Sequence, residues 1–260
     1  SAYLRPENRF DEASRRHIHM HLRYSSHVPE TDPMDMVINT ASRSAWHPLG
    51  HQIGSFQIFV GKPFSRGSVR LQSPDPHVAP EVRFELLSDF RDRLRLMEGV
   101  GLMREALARE PLRQVALDPF PSSYSSRARA VGRLSLSNYL LTKTASYMMD
   151  GPGWLRRFFI RAAIAPNYSL DRILPDAEEL AEFGTSSVTP TGHACSSCRM
   201  GGDDDPMAVT DSIGRVRHVD GLWLADASIM PSITRGNTGL PVIMMAEKLA
   251  EHWRLGALRD

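Results

Sequence analysis

From His17 to Leu22 polar and apolar positions alternate: Ile18, Met20 and Leu22 are interleaved with His17, His19 and His21. A period of two predicts a half-buried strand. MDMVINT, GSFQIFVGKP and GSVRLQS repeat that texture, rich in β-branched and aromatic residues and punctuated by Gly, Pro and a Ser-Pro-Asp-Pro run. These segments predict a meandering antiparallel sheet. Between Asp92 and Glu110 the spacing lengthens to three or four, at Leu96, Val100, Met103 and Leu107, and Pro111 ends the run, which predicts a helix. Residues 112–190 read as helices and loops, including the apolar basic GWLRRFFIRAAIA and the acidic DAEELAEF. Then comes VRHVDGLWLADAS, an apolar run expected to be a strand, followed by the loop IMPSITRGNTGLP and the helical VIMMAEKLAEHW, where Met244, Met245 and Leu249 are expected in the core. The expected class is α+β, an antiparallel sheet flanked by helices over 1–190 and a strand–loop–helix within 191–260.

Composition narrows the partner. The chain has 260 residues, 42% hydrophobic and 23% charged, with 31 Lys+Arg against 30 Asp+Glu, hence a net charge of +1. It is too long for a disulfide miniprotein, and no apolar stretch approaches the about 20 residues of a spanning helix. No net field favours nucleic acid or an anionic membrane, so the expected partner is a small molecule. Cys195 and Cys198 are the only thiols, which leans towards a reducing, cytoplasmic setting. The opening SAYLRPENRF carries no signal or lipidation pattern and reads as the continuation of a longer chain.

Three polar residues in irregular segments near the C-terminus are candidates for chemistry: His193 in TGHACSSCRMGG, Asp226 in LADAS and Asn237 in RGNTGLP. Loops on a rigid scaffold are where catalytic groups are usually mounted. A neutral imidazole accepts a proton near pH 7, because its ordinary pKa is about 6.5, whereas a carboxamide only hydrogen-bonds. That pair suits alcohol oxidation, in which the hydroxyl loses a proton while the carbinol carbon gives hydride to a cofactor. On residue types alone, His193 also reads as a structural histidine, Asn237 as a turn residue and Asp226 as a helix cap. The C-x-x-C reads as a small buried thiol pair, a redox pair or a zinc corner, and the histidines of the first strand as solvated residues or metal ligands.

The strings HACSSCRMG, DSIGRVRHVDGLWLADASIMP and GNTGLPVIMMAEK together resemble the C-terminal signature of the glucose–methanol–choline (GMC) flavin oxidoreductases, and GKPFSRGSVRLQSPDPHVAPEVRFELLSD resembles a substrate-domain segment of the same family. The resemblance implies an FAD-dependent alcohol oxidoreductase acting on a primary alcohol, aryl or hydroxymethyl in kind. It places His193 as the base and Asn237 as the second hydrogen-bonding residue. Asp226, Ala227, Ala194, Asn237 and Thr238 fall at flavin-contacting positions, and Phe59 on a substrate-facing strand. No glycine fingerprint opens a βαβ unit, and Gly99 and Gly101 lie inside a helical pattern with Arg104 where a third glycine belongs. The FAD-binding half is therefore expected from another polypeptide or another segment, with 191–260 completing that domain. Gly192 stands where many relatives carry an aromatic residue, which widens the expected pocket. Two other readings stay open: a non-catalytic binding subunit, and a hydroxynitrile-lyase-type activity on the same scaffold.

Overall fold

The alternating segments form strands that pair only with antiparallel neighbours. In the computed structural model, which describes residues 1–9, 18–122, 126–166 and 176–256, β1 (Ala2–Leu4), β2 (Ile18–Tyr24), β3 (Met36–Ala41), β4 (Ile53–Val60) and β7 (Ala116–Leu117) make a five-stranded sheet of order β2-β3-β4-β1-β7. β5 (Ser68–Arg70) and β6 (Glu81–Arg83) form a separate two-stranded sheet, so GSVRLQS leaves the expected meander. The Gly, Pro and Ser run between β4 and β5 interrupts the ladder, and β5 finds its partner locally across the loop that contains Ser-Pro-Asp-Pro.

Side-chain alternation gives the larger sheet two unlike faces. The rows Leu22–Ile38–Ile58 and Tyr24–Met36–Val60 lie on one face, with Met36 and Ile38 fully buried. Helix α1 (Phe90–Ala108) packs there, started by Asp89, whose side chain accepts from Arg91 N. The approach is close at Gly99: a Cβ on it would lie 2.8 Å from Ile58 Cγ2 and 2.8 Å from Tyr24 Oη. Gly99 thus serves helix–sheet packing, not phosphate binding. The rows His21–Asn39–Gln57 and Arg23–Val37–Phe59 occupy the opposite face.

Further helices follow: α2 (Leu112–Val115), α3 (Ser126–Val131), α4 (Leu136–Asp150), α5 (Gly153–Phe159), which runs into a π-turn over Ile160–Ile164, and α6 (Ala177–Ser187). Ser135 caps α4 by accepting from Asn138 N, and Asp176 caps α6 by accepting from Glu178 N and Glu179 N. Tyr3, Ile53, Phe120, Met149 and Ile160 meet in one apolar core that joins the sheet to α4 and the π-turn.

The chain gathers into two compact units, one of Ser1–Val60 with Leu87–Thr189 and the other of Gly61–Leu86 with Pro190–Asp260. Within the first, a buried ion triad ties the β2–β3 loop to α1. Arg95 Nη1 donates to Asp35 Oδ2 at 3.1 Å and Nη2 to Asp92, and Ser26 N and Oγ donate to the two Asp35 oxygens at 2.7 and 2.8 Å. All three charged side chains are essentially inaccessible.

The second unit is mostly irregular backbone, ending in helix α7 (Gly239–Gly256). VRHVDGLWLADAS is not a strand: only isolated bridges, Thr210 to Val216 and Arg215 to Trp223, form along it. Without a ladder partner its apolar residues gain no cross-strand packing, and Leu222 and Trp223 stay exposed. Leu249 is buried on α7, but Met244 is exposed, contrary to the expectation that it is core.

Candidate active site

Residues 196–200 run beside the short 3-10 turn Ala227–Ile229, with Ser196, Cys198 and Met200 N–H groups donating to the carbonyls of Ala227, Ser228 and Ile229 at 3.1, 2.9 and 2.9 Å. Asp226 caps that turn: its Oδ1 accepts from Ser228 N at 2.8 Å and from Ser228 Oγ at 2.5 Å. Its geometry is that of the structural cap which its residue type allows. Asp211 pins the next bend by accepting from Ile213 N and Arg215 N, and Gly214 is required there, because its φ is +76° and a Cβ would sit 2.5 Å from Leu224 O. Trp253 Nε1 of α7 donates to Ile213 O at 3.0 Å and its ring meets Trp223 edge-on, which fixes the helix against this bend.

On this scaffold the histidine loop meets the start of α7. Thr238 Oγ1 lies 3.4 Å from His193 Nδ1, across 45 positions of sequence, and Thr238 is buried. Asn237, the neighbour of Thr238, is exposed, and His193 is half-buried. When Nδ1–H donates to the threonine hydroxyl, Nε2 carries the lone pair and is the nitrogen able to take a proton. Ala194 is exposed beside the histidine, and Ala227 is half-buried within the 3-10 turn. Gly192, just before the histidine, has φ +77° and open space where a side chain would point.

The first turn of α7 adds donors. Pro241 has no N–H to lose, while the N–H groups of Gly239 and Leu240 point out of the helix start as it leaves Asn237. A helix N-terminus and a carboxamide supply donors that suit a ring system gaining negative charge, while the imidazole base accepts the proton that the substrate loses. They fit the isoalloxazine end of a flavin. No glycine fingerprint for the adenosine pyrophosphate opens a βαβ unit in the sequence.

Phe59 is half-buried on the sheet of the first unit, beside Val37 and Arg23. Cys195 and Cys198 are not bonded to each other, and both are half-buried. His17 and the side chain of His19 lie outside the described residues. A register shift between Ile18 and Met20 interrupts the histidine row, and His21 Nδ1 contacts Asn39 Oδ1 at 2.6 Å. Among the described residues no group of three or more His, Cys, Asp or Glu could hold a metal, and no helix is long and apolar enough to cross a membrane. Thr238 as the partner of the histidine ring was not foreseen. Its position directly after Asn237 was the available signal.

Comparison with known proteins finds relatives along most of the chain. The family description GMC oxidoreductase matches residues 63–246. The chain is 32% identical over 230 residues to the 5-(hydroxymethyl)furfural oxidase of Methylovorus sp. (strain MP688), covering 88% of this chain and 36% of that protein. It is 32% identical over 205 residues to oxygen-dependent choline dehydrogenase 1 of Chromohalobacter salexigens, covering 78% of this chain and 28% of that one. Among solved structures it is similar to pyridoxine 4-oxidase from Mesorbium loti, with a TM-score of 0.58 and 25% identity over 86% of this chain and 35% of that one. The chain belongs to the GMC oxidoreductase family, whose members are FAD-dependent flavoproteins. It spans about a third of the length of the curated relatives it matches.

Proposed function

We propose that this chain is the substrate-binding and proton-accepting part of an FAD-dependent alcohol oxidoreductase that converts a primary alcohol, aryl or hydroxymethyl in kind, into its aldehyde. The observation that carries the reading is the contact between His193 Nδ1 and Thr238 Oγ1, which holds the imidazole beside the Asn237 end of α7. His193 Nε2 accepts the hydroxyl proton. The Asn237 carboxamide holds the substrate oxygen, and Thr238 fixes the ring. Bound FAD supplies the hydride acceptor, with Asn237, Thr238, Ala194, Ala227 and Asp226 on its side of the site. The open space at Gly192 leaves room for a ring on the carbinol carbon.

A nucleotide-binding half supplied by the rest of a longer polypeptide, or by a partner chain, completes the cofactor site. Leu240, Ile243 and Met244, spaced i, i+3 and i+4, form an exposed apolar stripe on α7 that such a half would cover.

The test is anaerobic mixing of the complete flavoprotein with benzyl alcohol while the oxidised-flavin absorbance is followed. His193→Ala is expected to slow bleaching by about 10²- to 10⁴-fold, the usual share of a general base. Bleaching at an unchanged rate overturns the role of His193. Product formation from a cyanohydrin with no net change in the flavin would favour the lyase reading, and absence of both would favour a binding subunit.

A further inference from the structure

Helix α4 is apolar on the side that it turns outward. Thr142, Ser146 and Met149 are its buried residues, and the two hydroxyls are satisfied by α4 itself, donating to Asn138 O and to Lys143 O at 2.7 Å each. Leu136, Leu140 and Tyr147, spaced i, i+4 and i+11, make the outward stripe, with exposed Lys143 at i+7 between them. The next helix repeats the arrangement. Ile160, just past the end of α5, is buried, while Trp154 and Phe158, spaced i and i+4, are exposed with Arg157 beside them and exposed Arg161 one turn on. Each of these five apolar side chains is more than half exposed. Met149 and Ile160 enter one core, so both stripes are turned away from the same interior.

Charge is segregated in the same place. Residues 119–166 hold seven Lys and Arg and one carboxylate, Asp150, which already accepts from Arg9 Nη1 and Gln52 Nε2. The net charge of +1 averages this stretch with acidic ones such as α6, whose first turn carries Glu178 and Glu179. A face built only for water mixes both signs of charge and shows few large apolar groups. A second copy of the chain seated here would bring like charges together, and a protein core packed over the face would bury cations without carboxylates. Aromatic and aliphatic side chains interleaved with Lys and Arg complement a lipid surface, where the apolar groups enter the acyl boundary and the cations meet phosphates. We infer that α4 and α5 form a docking surface for a bilayer containing anionic lipid, with Trp154 and Phe158 entering the headgroup boundary and Lys143 and Arg161 meeting lipid phosphates. The helices lie along that surface and do not cross it, since no helix among the described residues is long and apolar enough.

The experiment is co-sedimentation of the complete flavoprotein with vesicles of equal parts phosphatidylcholine and phosphatidylglycerol, and with vesicles of phosphatidylcholine alone. Binding to the mixed vesicles is expected to be about tenfold tighter or more, and to weaken as salt is added. Lys143→Glu combined with Arg161→Glu is expected to weaken it by about tenfold, and Trp154→Ser combined with Phe158→Ser by a similar factor. All four side chains are exposed, so neither variant threatens folding, and an unchanged melting temperature checks this. Absence of vesicle binding by the parent protein overturns the inference and indicates that the rest of the polypeptide covers the face. Binding that survives both variants overturns it as well. Loss with the charge variant alone also overturns it, because a site for a polyanion needs no inserted ring, and duplex DNA is the probe for that case. No ligand here is oxidised, so a failure to oxidise benzyl alcohol would strike at the proposed reaction and leave the binding result standing.

Discussion

The two units hold their backbones by different means. In the first, ladders, an α1-covered sheet face and the Arg95 triad hold the elements together, and side chains fill the space between. In the second, outside the short β5–β6 ladder, single bridges, Asx-type contacts from Asp205, Asp211 and Asp226, and the grip of Trp253 on Ile213 replace regular pairing. The regular unit offers a rigid face with a fixed pattern of side chains. The irregular unit brings groups from distant positions, such as His193 and Thr238, to within one contact of each other. Regularity suits recognition, and pinned irregularity suits chemistry.

The contrast can be broken most strongly at Arg95. Arg95→Ala removes the guanidinium that pairs with the buried Asp35 and Asp92 and is expected to cost about 3 to 5 kcal/mol of stability. Denaturant melts check the magnitude, and faster amide exchange in β3 and α1 locates it. Next is Thr238→Val, which removes the partner of the imidazole. It is expected to lower kcat about 3- to 10-fold, the worth of one hydrogen bond, with Thr238→Ser restoring the rate. Restoration by serine separates positioning of His193 from simple packing.

Smaller effects sharpen the same comparison. His218 holds a φ of +64° on the surface of the irregular unit. His218→Gly is therefore expected to stabilise by about 1 kcal/mol, read as a higher melting temperature. In the regular unit the Tyr24 hydroxyl is buried with no hydrogen-bond partner among the described residues, and burial, then the charges of Glu98 and Asp35, push its pKa up to about 12. The folded state holds this proton more tightly than the unfolded one. The parent protein is then expected to keep its stability below about pH 10 and lose it towards pH 12. Tyr24→Phe should be near neutral at pH 8, within about 1 kcal/mol, and flatten that alkaline loss. Denaturation midpoints at pH 8 and 11 decide it.

The sequence carried the long elements well. β2, β3, β4 and α1 announced themselves by period, although Met20 and Leu22 on the edge strand β2 stay exposed. β1 and β7, three and two residues long, are too short to show a period and exist only through pairing with distant chain. LWLADAS misled, because an apolar run does not state whether a ladder partner is present. His193 and Asn237 were legible through the resemblance, and the first polar contact between their segments was found only in the fold. The Arg23 and Gln57 rows depend on register across three strands, and register is set by pairing that no single segment reveals.

The most direct test of the central claim is chemical rescue. With the complete flavoprotein carrying His193→Ala, the rate of flavin reduction by benzyl alcohol is measured as imidazole is added. The account predicts that the rate rises with imidazole concentration, because a free base fills the place left by the side chain. Flavin reduction as fast as in the parent before any imidazole is added would contradict it.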